Sequence, residues 1–394
     1  MAMVLVTDGE QRAALATVRS LGRAGYQVAV TSPGGRSIAG ASQFAAGEYA
    51  TPDSLSEPRS FAERLASIAI STKPDVIIPI TEASLLAIQE RPSLWDARVP
   101  FPELPIIKKV LDKASVCQLA PEFGIAVPRQ QVIAKRDDLS HLDEHGLTFP
   151  VVVKPARSVS GVATHRIRTS VTYVSQWADL VAAVEKLPAE AFPLLIQQRV
   201  VGPGTGVFLF LAEGRILARF AHRRLREKPP SGGVSVYRES VAADDCLVDK
   251  SAALLNAMGW SGVAMVEYKT DAGSGEPYLM EINGRLWGSL QLAIDAGVDF
   301  PTLLVKAALE EPAAPVTEYQ LGIRSRWWWG DVDQLLARLR RSDTANNLPP
   351  GSPTRLQAVL DFMRLWRPGD RSEVLRISDM RPFLRETWQW LHGD

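Results

Sequence analysis

Two hydrophobic periods alternate along the first hundred residues. Val4-Leu5-Val6-Thr7 and Tyr26-Gln27-Val28-Ala29-Val30-Thr31 are short apolar runs, and between them residues 11–23 carry Ala, Leu and Val at three- and four-residue spacing. The pattern predicts strand, helix and strand over 4–7, 11–23 and 26–31. A helix over 61–69 and a strand over 76–80 continue the series. Such alternation implies a parallel sheet covered by helices, with ligands gathering at the carboxyl ends of its strands. The first turn, Thr7-Asp8-Gly9-Glu10, lacks the G-x-G-x-x-G spacing of a dinucleotide site. Glu82, just past the strand over 76–80, stands where the sheet would meet a ligand; its competing role is that of a first-turn acid in a helix capped near Thr81.

After Val99-Pro-Phe-Pro-Glu-Leu-Pro105 the texture changes. A helix over 112–122 leads to a strand over 149–155 that ends in Lys154-Pro155, and a Ser/Gly loop follows, Ser158-Val-Ser160-Gly161. Lys154 stands at the edge of an apolar sheet, and small loop residues let backbone N–H groups close on phosphate oxygens. β-rich segments then run from residue 194 to 283. The last two form a hairpin: a strand over 262–268, a turn over 271–277 and a strand over 278–283. In Glu281-Ile282-Asn283 the polar side chains share one face. With Glu267 they make a cluster of hard oxygen donors suited to Mg²⁺, and Arg285 just beyond is placed to hold a phosphoryl group.

Composition narrows the function classes. The 394 residues are 46% hydrophobic and carry 44 basic and 44 acidic side chains, which predicts two or three globular domains and offers no charge excess for nucleic acid. Two cysteines and no charged leader before the first strand place the chain in the cytoplasm, and no apolar run is long enough to span a bilayer. The serine-hydrolase elbow and the P-loop are absent from the sequence. His141 and His145 are four apart with no further ligand nearby, so they read as surface residues rather than a zinc pair.

Asp112-Lys113, Val151-Val-Val-Lys154-Pro155, Ile196-Gln-Gln-Arg-Val-Val-Gly202, Gly262-Val-Ala-Met-Val-Glu267 and Met280-Glu281-Ile-Asn283-Gly-Arg285 follow one another as they do in the ATP-grasp superfamily. The chain resembles the branch holding biotin carboxylase, the large chain of carbamoyl-phosphate synthase and many carboxylate-amine ligases, over residues 1 to about 310. The resemblance implies an α/β and α+β protein: an N-terminal parallel-sheet domain at 1–105, a linker and small ATP-binding lobe at 106–195, a large lobe with the metal site at 196–315, and a helical extension at 316–394. It implies that Lys113 and Lys154 contact ATP, that Ser158, Ser160 and Gly161 lie in a mobile loop over the phosphates, and that Gln198, Arg199 and Val200 form the hinge beside adenine. The loop lacks the family's usual glycine doublet. Glu267, Glu281 and Asn283 would hold one or two Mg²⁺ ions, and Arg285 the transferred phosphoryl group.

On a strand, Arg224 and Arg226 of His222-Arg-Arg-Leu-Arg-Glu-Lys228 share one face. By resemblance they bind the carboxylate or phosphate of a substrate, with Glu227 as amine or orientation partner and Ser231, Gly232 and Gly233 in an adaptable loop beside the site. The implied reaction is ATP-dependent: a small-molecule carboxylate becomes an acyl phosphate, which an amine displaces with release of ADP and phosphate. Lys154, Arg224 and Arg285 would carry the chemistry. Two rivals are a bicarbonate-phosphorylating enzyme and an ATP-binding module without turnover; a homodimer is the candidate assembly. The extension holds Trp327, Trp328, Trp329, Trp366, Trp388 and Trp390 among arginines, which reads either as a cap on a core or as a membrane-surface contact.

Overall fold

The apolar runs of the first eighty residues pair side by side and in parallel. In the computed structural model, which describes residues 1–394 apart from 143–145, 163–164, 169–170, 350 and 394, strands β1 (Met3–Val6), β2 (Gln27–Pro33), β3 (Gly47–Thr51) and β4 (Val76–Ile78) form a sheet of order β3-β2-β1-β4. β3 is an edge strand with little apolar signal of its own. The helix Arg12–Arg23 packs its Ala, Leu and Val side chains between this sheet and the rest of the molecule. His145 lies outside the described residues.

Next along the chain come β5 (Gln130–Ile133), β6 (Val151–Pro155), β7 (Val159–Val162), β8 (His165–Arg168), β9 (Thr172–Val174) and β10 (Leu194–Gln198). Four of them make an antiparallel sheet of order β5-β10-β6-β9 over its own core of Ile133, Val151, Val153, Leu180 and Ile196. β7 and β8 pair with each other, so the Ser/Gly segment expected as a loop is a small hairpin, with Gly161 at its positive φ of 112° opposite Arg166.

The largest sheet has seven strands, in the order β15-β14-β11-β12-β13-β16-β17. They are β11 (Gly204–Ala212), β12 (Arg215–Lys228), β13 (Val234–Ser240), β14 (Gly262–Thr270), β15 (Pro277–Asn283), β16 (Arg324–Arg326) and β17 (Asp370–Ser372). In the β14–β15 hairpin Glu267 pairs with Glu281 and Met265 with Asn283, so the three polar side chains share one face. β12 is irregular where the chemistry is dense: Arg224 pairs with Arg238 but Arg226 with Tyr237, one residue fewer on the partner strand. Such a bulge resets the two-residue alternation, and Arg226 consequently turns away from Arg224.

The C-terminal extension adds β16 and β17 to the edge of this sheet and carries the helices Trp328–Arg340, Arg355–Met363 and Arg381–His392. Arginine stems pack on indoles, Arg12 at 3.8 Å over Trp327 and Arg326 at 4.1 Å over Trp328, and Trp329 stacks on Trp390 at 4.2 Å. Among the described residues no helix is long and apolar enough to cross a membrane.

Candidate active site

A cavity of about 540 Å³ opens where the antiparallel sheet, the large sheet and the carboxyl end of the parallel sheet face one another. β6 supplies Lys154, buried despite its charge, with its ammonium 3.2 Å from the Met280 carbonyl. Burial pulls the pKa of this lysine below its ordinary value. Asp112 caps the helix Lys113–Leu119 by accepting from Ala114 and Ser115, and this fixes Lys113 at the helix start. From there Lys113 reaches the Ser158 hydroxyl at 2.7 Å and Glu281 at 3.2 Å.

The β14–β15 hairpin supplies the acids. Burial opposes the charge on Glu281, but Lys113 and Lys154 outweigh it and hold the carboxyl at about 2. Glu267 is pushed the other way by burial, against the pull of Arg224, whose guanidinium stands 2.6 Å away. Asn283 donates to Glu281 at 3.2 Å and accepts from Arg285 at 3.3 Å. The result is an alternating chain of acids, amide and cations along one wall.

Arg224 organises the adjoining wall. Besides Glu267 it holds Glu227 at 2.9 Å and the Gly233 carbonyl at 3.0 Å, which ties the 229–233 loop to Glu267. Gly232 and Gly233 line the cavity, whereas Ser231 stands outside the lining, its carbonyl accepting from Tyr173. Gln198, Arg199 and Val200 line the far end beside β6. The Arg199 side chain leans on the Tyr173 ring at 4.9 Å and donates to the Asn347 carbonyl. Glu82 is the first-turn acid after the Thr81 capping box, the competing reading of this residue, and it also lines the cavity, accepting from the Val159 amide at 3.3 Å. Burial raises its pKa.

Three other sequence-derived candidates lie apart from the cavity. Arg226 is bound through two nitrogens to Asp331 at 2.6 and 2.7 Å and lies over Tyr237 at 4.5 Å, a placement that follows from the bulge in β12. Ser160 and Gly161 sit in the β7–β8 hairpin outside the lining, and only Ser158 of that segment reaches it.

Residues 190–329, which hold residues 198–200, Arg224 and the β14–β15 hairpin, match the family model described as an ATP-grasp in the biosynthetic pathway with Ter operon. Over that stretch the chain is similar to ATP-grasp proteins. A D-alanine–D-alanine ligase of Corynebacterium efficiens is 26% identical to it over 229 residues, 53% of this chain and 61% of that protein. The L-amino acid ligase of Bacillus licheniformis superposes with a TM-score of 0.60 at 16% identity, covering 79% of this chain and 75% of that one. The biotin carboxylase domain of the Hydrogenobacter thermophilus 2-oxoglutarate carboxylase, solved with MgADP and bicarbonate, gives 0.64 at 13% identity, covering 82% and 73%. These structural likenesses speak to the fold. The sequence match spans about three fifths of the length of the Corynebacterium ligase.

Within this cavity several lining residues carried no sequence expectation. His222 and Lys269 lie two residues from Arg224 and Glu267, and the two-residue strand period was the available signal for both. Both nitrogens of His222 are buried without a hydrogen-bond partner, and burial with the neighbouring Arg224 and Arg238 keeps the ring neutral. Arg12 and Trp287 also line the cavity, and only tertiary packing brings them there. As a test of Mg²⁺, two facing carboxylates and an amide oxygen suit an ion that leaves its other positions to water and phosphate. Among the described residues no group of three or more His, Cys, Asp or Glu side chains is placed to hold a metal ion by itself.

Proposed function

We propose that the protein is an ATP-dependent carboxylate-amine ligase that forms an acyl phosphate, passes the acyl group to an amine and releases ADP and phosphate. One observation carries the reading: Lys113, Lys154, Glu267, Glu281, Asn283, Arg224 and Arg285 line a single cavity contributed by two facing sheets. A carboxylate and a γ-phosphate repel each other, and cations fixed in place beforehand lower that repulsion without reorganising during reaction. In this reading Lys113 and Lys154 hold ATP phosphates, the 198–200 backbone meets adenine, Arg285 holds the transferred phosphoryl group and Arg224 orients the acid. Mg²⁺ held by Glu267, Glu281 and Asn283 would neutralise charge on the β- and γ-phosphates. The β7–β8 hairpin, anchored through Ser158 to Lys113, shields the acyl phosphate from water. The free cysteines Cys117 and Cys246 and the need for ATP accord with a cytoplasmic setting.

The test is an ADP-release screen of carboxylates crossed with amines, with mass detection of products. ADP formed only when both partners are present, with the mass of the amide, supports the reading. ADP formed with bicarbonate alone would replace it by carboxyphosphate chemistry. Tight MgATP binding without ADP across the whole panel would leave a nucleotide-binding module; such binding stabilises the fold by about 2.7 kcal/mol at a hundredfold excess over Kd, which thermal unfolding detects.

A further inference from the structure

More than half of the large apolar side chains that stand exposed among the described residues lie between Leu339 and Leu391, a small fraction of the chain. They are ordered. The helix Arg355–Met363 exposes Leu356, Leu360 and Met363, and the helix Arg381–His392 exposes Leu384, Trp388 and Leu391. Both sets have the spacing i, i+4, i+7, which makes a single stripe on each helix. Trp366, between the helices, is 69% exposed.

The packing needs of these elements are already met on other faces. In the last helix Glu386 accepts from the Trp327 indole at 2.7 Å, Thr387 from the Trp329 indole at 3.0 Å, and Trp390 donates to Asp333 at 3.0 Å. The exposed stripe is what remains once that docking is complete.

Charge tells what would cover it. Arg340, Arg341, Arg355, Arg364, Arg371 and Arg381 are exposed, while Asp343 is the one exposed acid among the described residues of 324–393. Asp331 turns toward Arg226 and Arg326, Glu373 toward Arg12 and Arg238, Asp379 toward Arg19, and Asp370 toward the Tyr237 hydroxyl, while Asp361 keeps a half-exposed side chain 3.6 Å from Arg364 and Arg367. A surface on which exposed arginines outnumber exposed acids is complementary to an anionic partner. A second copy using this same face would set arginines against arginines. Leucine stripes, indoles and arginines together match the depth profile of a bilayer surface, with apolar groups below the headgroups, indoles among them and guanidiniums on the phosphates.

We propose that the exposed apolar stripes of the C-terminal extension dock on an anionic lipid surface. None of the residues named for the face lines the cavity, so the proposal stands apart from the ligase reading and places that cavity next to a membrane.

The experiment is flotation of the full chain with phosphatidylcholine vesicles, with and without phosphatidylglycerol, at low and high salt. The protein is expected to float with the anionic vesicles, at least tenfold less with neutral ones, and to be released as salt screens the arginines, roughly as the Debye length falls from 10 to 3 Å. Leu384→Glu with Trp388→Glu is expected to lower vesicle binding about tenfold or more while MgATP binding and far-UV circular dichroism stay unchanged. Arg364→Gln with Arg381→Gln, which leaves both apolar stripes intact, should weaken binding to anionic vesicles selectively, and it serves if the first variant does not fold. Absence of flotation with anionic vesicles at low salt overturns the proposal. So does concentration-dependent dimerisation in sedimentation that Trp388→Glu abolishes, since a second copy would then own the face.

Discussion

Arg12, at the start of the first helix, and Glu373, near the end of the chain, meet at 2.5 Å, and Glu373 meets Arg238 of the large sheet at the same distance. One buried carboxylate thereby joins the parallel-sheet region, the large sheet and the extension, and it holds Arg12 in the cavity wall. Burial opposes the charge on Glu373, but the two guanidiniums prevail and depress its pKa. Replacing Glu373 by Gln leaves two buried cations sharing no acid, which costs about 3–5 kcal/mol of stability at neutral pH, read by urea denaturation. Because the folded-state pKa lies below the ordinary value of 4.5, this stabilisation is present in full above that pH and fades as pH falls below it. The gap between variant and wild type should therefore narrow from pH 5 to pH 3; a gap that stays constant would show that shape rather than charge matters there.

Glu281 is the acid on which both lysines act, and its carboxyl, held at about 2, is ionised throughout the physiological range. Glu281→Gln keeps the shape and the hydrogen bond to Asn283 but removes the charge. ADP release at saturating Mg²⁺ should fall by about a hundredfold or more, the scale on which a preorganised electrostatic contact contributes. Far-UV circular dichroism and cooperative unfolding should persist. Near-normal turnover would remove Glu281 from the chemistry.

The common face of the acidic hairpin was readable from local pattern: Glu267, Glu281 and Asn283 sit on apolar strands whose period of two fixes it. Lys154 was readable for the same reason, at the end of a β-branched run. Arg226 was misplaced on Arg224's face because a bulge is set by how β12 meets β13, and no residue in Arg224-Leu225-Arg226 announces it. The Ser158–Gly161 segment looked like a loop because small residues carry weak strand signal, yet pairing with β8 makes it a hairpin. Arg12 and Glu373 are 361 residues apart, and nothing local in either sequence neighbourhood points to the other.

Arg224 makes three contacts at once, to Glu267, Glu227 and the Gly233 carbonyl, and a lysine at this position has a single nitrogen to offer. Arg224→Lys should therefore keep the charge and lose the fork, cutting kcat/KM by about ten- to a hundredfold, or 1.4–2.7 kcal/mol of transition-state stabilisation. The released 229–233 loop should also become the preferred site of limited proteolysis. An activity loss without new cleavage there would separate the catalytic contact from the tethering one.

Gly284 stands between Asn283 and Arg285, and a Cβ on it would lie 2.4 Å from the ring of the buried Trp260. That indole is fixed in the core beneath the hairpin with Leu254, Leu255 and Ile282, so it has little room to yield. Gly284→Ala should cost about 1–3 kcal/mol through overpacking and shift Asn283 or Arg285 out of line. Joint replacement with Trp260→Phe, which removes the clashing ring edge, should recover part of both stability and ADP release. Failure of the pair to recover either would mean that Gly284 is needed for its backbone and not for the space it leaves.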